Sequence, residues 1–172
     1  MHKSNQQNGF TLVETIIYLA IMAIVMTSFL YFGSAIFDYR HKVYAVQEVQ
    51  ANERMAINFL SQKIREAKDV NIGQSIFNAD PGVLSLTMDD SSRNPTIISL
   101  NQDDGVLQIT EGIFAPVAIT SENVKIKNLV FTNLSSQSIK NIKFNLTVEY
   151  SHGQNSKDSY SNDLETAVSL RR

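Results

Sequence analysis

Residues 9–14 read Gly9-Phe10-Thr11-Leu12-Val13-Glu14 and lead directly into residues 15–37, TIIYLAIMAIVMTSFLYFGSAIF. The second stretch is 23 residues without a formal charge. As a helix it is about 35 Å long, and a hydrocarbon core about 30 Å thick needs about 20 apolar residues to cross. The run is therefore long enough to span a membrane, and without proline nothing forces a kink. Thr27, Ser28 and Ser34 are expected to bond back to their own helix backbone. A removable secretory signal has a shorter apolar core and ends in small residues. Here Ser34-Ala35-Ile36 is followed by Phe37 and then by charge, so the segment reads as an anchor.

Glu14 stands at the head of this run. A carboxylate in lipid costs about 2.5–3.5 kcal/mol on insertion scales, so such a group is usually paired or functional. In an arbitrary anchor it would sit at headgroup level, or favour the helix N-terminus through the macrodipole. The residues around it point elsewhere. GFTLVE at residues 9–14, after a short polar leader and before a spanning segment, resembles the type IV prepilin-like family.

That resemblance implies a leader of residues 1–9, cleaved between Gly9 and Phe10 by a prepilin peptidase, which then N-methylates Phe10. It implies that Glu14 serves subunit assembly by meeting the Phe10 ammonium of a neighbouring subunit in an apolar bundle. Such a pair fixes register more than it adds stability. The implied orientation is N-terminus inside and C-terminal domain outside, in the cytoplasmic membrane and later in a filament. The charges do not set it, since Lys3 on one side faces Arg40 and Lys42 on the other. Position 31 is Tyr, around where the family's major subunits commonly carry proline, which implies a minor subunit.

Beyond Phe37 the helical pattern continues. Residues 38–69 lack Gly and Pro, and Val46, Val49, Ile57, Leu60, Ile64 and Ala67 recur near a 3.6-residue period. Glu53, Arg54, Lys63, Arg65 and Glu66 fall between them, which predicts an amphipathic continuation with those charges in water. Gly73 supplies the stop, near Asn71-Ile72-Gly73. The expected division is leader 1–9, membrane or filament-core helix 10–37, amphipathic continuation 38–72 and a β-rich domain 73–172.

Strands are expected at residues 83–88, 96–100, 106–110, 113–119, 124–132, 142–150 and 167–170. Asp104-Gly105 between two β-rich runs is a hairpin signal. Phe144, Leu146, Val148 and Tyr150 alternate onto one face. The fold class is α+β, pilin-like: one long N-terminal helix, its first half membrane-spanning, packed on an antiparallel β-sheet. Residues 59–67, the Asp-Gly hairpin, residues 121–134 (SENVKIKNLVFTNL) and residues 167–172 (AVSLRR) are similar to J-type minor pseudopilins of type II secretion.

Chemistry is not indicated. The chain has no cysteine, and His2, His41 and His152 show no metal-ligand spacing. Neither a P-loop nor a G-x-S-x-G is present. Asp80, Asp89-Asp90, Asp103-Asp104 and the group Asn155, Asp158, Asn162 and Asp163 are oxygen-rich, but read as turn formers, so neither metal nor cofactor is expected. Asn133-Leu134-Ser135 and Asn145-Leu146-Thr147 match the glycosylation pattern by chance, and Arg171-Arg172 is a contact point or a charged tail. A net charge of −2 disfavours nucleic acid as a bulk partner.

The expected function is a structural subunit, not an enzyme. Its implied partners are the prepilin peptidase, other pilin or pseudopilin subunits, the assembly platform with its ATPase, and membrane lipid. The reading from another class is a single-pass membrane protein whose β domain binds a ligand or partner.

Overall fold

Helix α1 (Leu12–Glu66) is one uninterrupted element of 55 residues. The structure, a computed structural model, describes residues 10–136, 139–150 and 159–171. The expected leader, His152, Asn155, Asp158 and Arg172 lie outside the described residues. The chain divides into two compact units, one running to His41 and the other Lys42–Arg172. The boundary falls inside α1.

In the first unit the helix is apolar on every side. Phe29, Leu30 and Tyr31 are each at least 70% exposed. One 18-residue window reaches a mean hydropathy of 2.1. A helix that is hydrophobic all round belongs inside a bundle or a membrane. Its few hydroxyls are satisfied locally: Thr27 donates to Ala23 O (2.8 Å), Ser28 to Ile24 O (2.9 Å) and Ser34 to Tyr31 O (2.9 Å).

In the second unit α1 buries one stripe: Ala45, Val49, Asn52, Glu53, Ala56, Leu60, Ile64 and, just past the helix, Ala67. Fully burying a Val, Leu or Ile contributes about 1.5–3 kcal/mol, so Val49, Leu60 and Ile64 anchor the packing. Val46 and Ile57, expected in the stripe, are only half-buried, and Ala45 and Ala56 take the inner positions. The helix ends at Glu66 rather than near Asn71–Gly73. Strand β1 (Asp69–Val70) follows, and Ile72–Gln74 forms a single 3₁₀ turn. The chain leaves the helix early because Lys68 N–H and Asn71 N–H donate to Thr87 O and Ser85 O of β2 (Leu84–Thr87).

Two antiparallel sheets pack on α1 instead of one. The first contains β1, β2, β3 (Thr96–Asn101), β4 (Val106–Glu111) and β5 (Val117–Ala118) in that order. The expected hairpin is β3–β4, with Asn101 opposite Val106 and Gly105 at φ +68°. The expected strand at 113–119 shrinks to β5. Gly112 turns the chain at φ +54°, and Ile113, Phe114 and Val117 stay exposed.

The second sheet is β6 (Val124–Asn133), β7 (Asn141–Tyr150) and β8 (Ser161–Ser169). Ile142, Phe144, Leu146 and Val148 of β7 are buried, and Phe131 of β6 lies opposite Phe144. Along β6 the buried set changes phase, from Val124 and Ile126 to Leu129 and Phe131. A bulge between Ile126 and Asn128 inserts the extra residue that makes both halves face inward. The last strand begins at Ser161, six residues before the expected 167.

Candidate functional site at the head of the apolar helix

Thr11 precedes the first helical residue and caps the helix. Its Oγ1 accepts from Glu14 N–H (3.3 Å), and its carbonyl accepts from Thr15 N–H (3.2 Å). Thr11-x-x-Glu14 has the capping-box pattern, in which the glutamate would reach back to the cap N–H. Here the carboxylate turns forward, and its Oε1 accepts from Tyr18 O–H at 3.1 Å. Tyr18 also holds Phe10 edge-on, with ring centroids 6.4 Å apart.

Phe10, Glu14 and Tyr18 thus share one helix face at four-residue spacing. Glu14 is half-buried and Phe10 is 78% exposed. Glu14 has no ion pair among the described residues. The site is an anionic group at the positive end of a helix dipole, beside an exposed aromatic ring, at the start of a segment that belongs out of water. Gly9, the other side of the expected cleavage point, lies outside the described residues. Two features here were legible and missed: the cap pattern of Thr11 with Glu14, and Tyr18 four residues past Glu14.

The second unit holds a different polar cluster. Asn52 and Glu53 interrupt the apolar stripe of α1 and are 3% and 6% exposed. Glu53 was expected among the solvated charges. Instead its Oε2 accepts from Asn162 Nδ2 at 3.1 Å, and its Oε1 is buried without a hydrogen-bond partner among the described residues. The gap between Val49 and Ala56 in the stripe was the signal, because helical spacing requires something at 52 or 53 to face inward.

The candidate metal carboxylates are spread out and engaged. Asp80 accepts from Leu129 N–H (2.9 Å), Asp104 from Asn101 Nδ2 (3.1 Å) and Asp163 from Thr147 O–H (2.7 Å). Asp89 faces Lys68 at 3.6 Å. Asp90 caps the short turn Ser91–Arg93. The Ser92 hydroxyl and N–H hold its carboxyl below the usual carboxylate range. The Tyr44 hydroxyl has its pKa raised, first by its hydrogen bond to the Glu48 carboxylate. Among the described residues no group of three or more His, Cys, Asp or Glu is placed to hold a metal ion.

Residues 4–30 match the family described as the prokaryotic N-terminal methylation motif. Over these residues the chain is similar to type IV prepilin-like proteins, which is what the match supports. Prepilin-like family members are structural subunits, and the motif implies cleavage by prepilin peptidase and pilin-type assembly. The architecture agrees, since a prepilin-like head leads into a long helix packed against antiparallel sheets. No curated protein and no solved structure matches the chain.

Proposed function

We propose that this prepilin-like chain is a minor pilin or pseudopilin subunit. Prepilin peptidase cuts between Gly9 and Phe10 and N-methylates Phe10. The helix crosses the cytoplasmic membrane with its N-terminus inside, and the β domain lies outside. An assembly platform and its ATPase then move the subunit into a filament, either a type II secretion pseudopilus or a type IV pilus, at or near the tip. The minor role rests on Tyr31 and on the similarity of residues 59–67 and 121–134 to J-type subunits.

The observation that carries this reading is Glu14 itself. It is the only carboxylate in residues 10–37, and among the described residues a neutral hydroxyl is what engages it. A carboxylate in an apolar bundle needs a cation, and a neighbouring subunit's new Phe10 ammonium is of the right charge. Unpaired, the same group would be a cost without return.

The test is the intact mass and N-terminal sequence of the chain from its native membrane, with and without the peptidase. A chain that begins at N-methylated Phe10 only when peptidase is present supports the proposal. Retention of residues 1–9 in both cases defeats it and leaves a membrane-anchored β domain that binds a partner. Glu14→Ala should be cleaved normally yet enter filaments at least about tenfold less, the equivalent of losing roughly 1.4 kcal/mol. Normal incorporation would defeat the role given to Glu14.

A further inference from the structure

We infer that the outer edge of β8 is a docking site for an extended, carboxylate-bearing peptide segment of a partner protein. This goes beyond the filament reading and does not depend on it. Among the described residues β8 is an edge strand, paired with β7 alone. Tyr150 N–H donates to Tyr160 O and Leu170 N–H to Lys140 O, both at 2.9 Å. In an antiparallel ladder this fixes the phase. Even-numbered residues of β8 turn their backbone groups toward β7, and Asp163, Glu165, Ala167 and Ser169 turn theirs away.

The phase is confirmed at the end of the strand, where Arg171 N–H points outward and donates to Arg65 O of α1 at 3.3 Å. From Asp163 to Ser169 the outward N–H and C=O groups have no backbone partner among the described residues. Natural edges are usually blunted by lysine, proline or a bulge. β8 has none of these. Its two acids are drawn onto the sheet face, Asp163 by Thr147 and Glu165 by Lys143 and Asn145.

Beside this edge lies an open groove of about 1370 Å³ between β8 and the last turns of α1, lined by Ile57, Ser61, Arg65, Ile139, Ala167 and Arg171 among others. Its charges decide the occupant. Lys68 faces Asp89 at 3.6 Å and Lys140 holds Asp69 at 2.6 Å. Glu66 accepts from Gln62 at 2.7 Å. Arg65 and Arg171 are exposed and in no ion pair among the described residues. Two unpaired guanidiniums whose backbones touch, next to an unpaired strand edge, complement a strand that carries a carboxylate. Strand addition supplies backbone hydrogen bonds, the arginines select the acid, and Ile57 and Ile139 offer apolar contact.

The test uses the full chain in detergent micelles. The probe is a seven-residue peptide of alternating valine and threonine with a central glutamate, beside its glutamine counterpart. Peptide binding is read by anisotropy, and amide hydrogen exchange locates it. The glutamate peptide should bind, slow exchange at Ala167 and Ser169, and bind about tenfold more tightly than the glutamine peptide. Arg65→Glu with Arg171→Glu should remove that preference. Ala167→Pro, which deletes one outward donor at an edge that tolerates proline, should abolish binding with the circular dichroism unchanged.

Absence of protection at Ala167 and Ser169 under saturating peptide would overturn the proposal. So would equal affinity for both peptides, or unchanged binding by the proline variant. Exchange at these amides that slows with protein concentration alone would assign the edge to a second copy instead.

Discussion

Asn52 and Ser121, 69 positions apart, hold each other by two hydrogen bonds: Ser121 N–H donates to Asn52 Oδ1 at 2.8 Å, and Asn52 Nδ2 donates to Ser121 Oγ at 3.1 Å. The same amide nitrogen also donates to Glu48 O at 2.9 Å. One buried side chain therefore ties α1 to the segment between β5 and β6. Asn52→Ala leaves the part-buried Ser121 N–H without its acceptor and should cost about 1–3 kcal/mol. Ser121→Ala keeps that N–H paired and should cost clearly less. Urea unfolding of the full chain in detergent, followed by the β signal, measures both. Equal losses would contradict this account.

Lys63 and Glu111 meet at 2.6 Å with side chains 12% and 27% exposed. The pair joins the last turn of α1 to the end of β4. Removing one partner strands the other in a partly dry place, so Lys63→Met or Glu111→Gln alone should cost about 1–3 kcal/mol. The double variant should cost less than the sum, with a coupling of about 1–2 kcal/mol from the cycle. Additive losses would mean the contact carries no energy.

Gly112 is at φ +54°, and a Cβ there would lie 2.2 Å from Ser92 O. Backbone strain and a clash with another backbone act together. Gly112→Ala should lower stability by about 2–4 kcal/mol and loosen the β4–β5 turn, visible as faster amide exchange at Gln108 and Ile109. Gly73 has open space and an ordinary φ, so Gly73→Ala is the matched control and should be close to neutral.

Asp69 is held below its usual pKa, first by the hydrogen bond from Lys140 and then by Val70 N–H. A lowered folded-state pKa contributes stability that is present above the unfolded value, about 3.9, and is lost as pH falls through the folded one. The wild type should therefore lose part of its margin over Asp69→Asn as pH drops below about 4. Because the pair is half-exposed, the difference at pH 7 should be about one or two degrees in Tm. A margin that stayed constant down to pH 2 would remove this linkage.

The sequence made some of this legible for identifiable reasons. A 3.6-residue apolar period carried α1, and strict alternation carried β7. An Asp-Gly turn carried β3–β4, because each of these is a local rule obeyed locally. What escaped depended on distant partners. Asp69-Val70 has no strand pattern and becomes β1 only because Thr87 and Leu86 are there to pair with it. Ile113 and Phe114 look like strand residues, but Gly112 breaks the strand before them. At the candidate site the GFTLVE hexamer was readable, while the direction of the Glu14 carboxylate depended on Tyr18. Asn52 and Glu53 were hidden because a count of apolar residues passes over a polar one that faces inward.

The contact between Arg171 and Arg65 also sets an order of events in the life of the chain. The stripe of α1 that includes Val49, Leu60 and Ile64 leaves the ribosome long before β8, whose Asn162 meets Glu53 across 109 positions. At roughly 5–20 residues per second, those 109 positions are an interval of about 5–20 seconds in which the greasy stripe gains its cover strand by strand and still lacks β8. Any factor that handles the nascent chain acts in that interval. A release before Asn162 and Arg171 arrive leaves the helix without its last cap, as a half-built domain open to proteolysis.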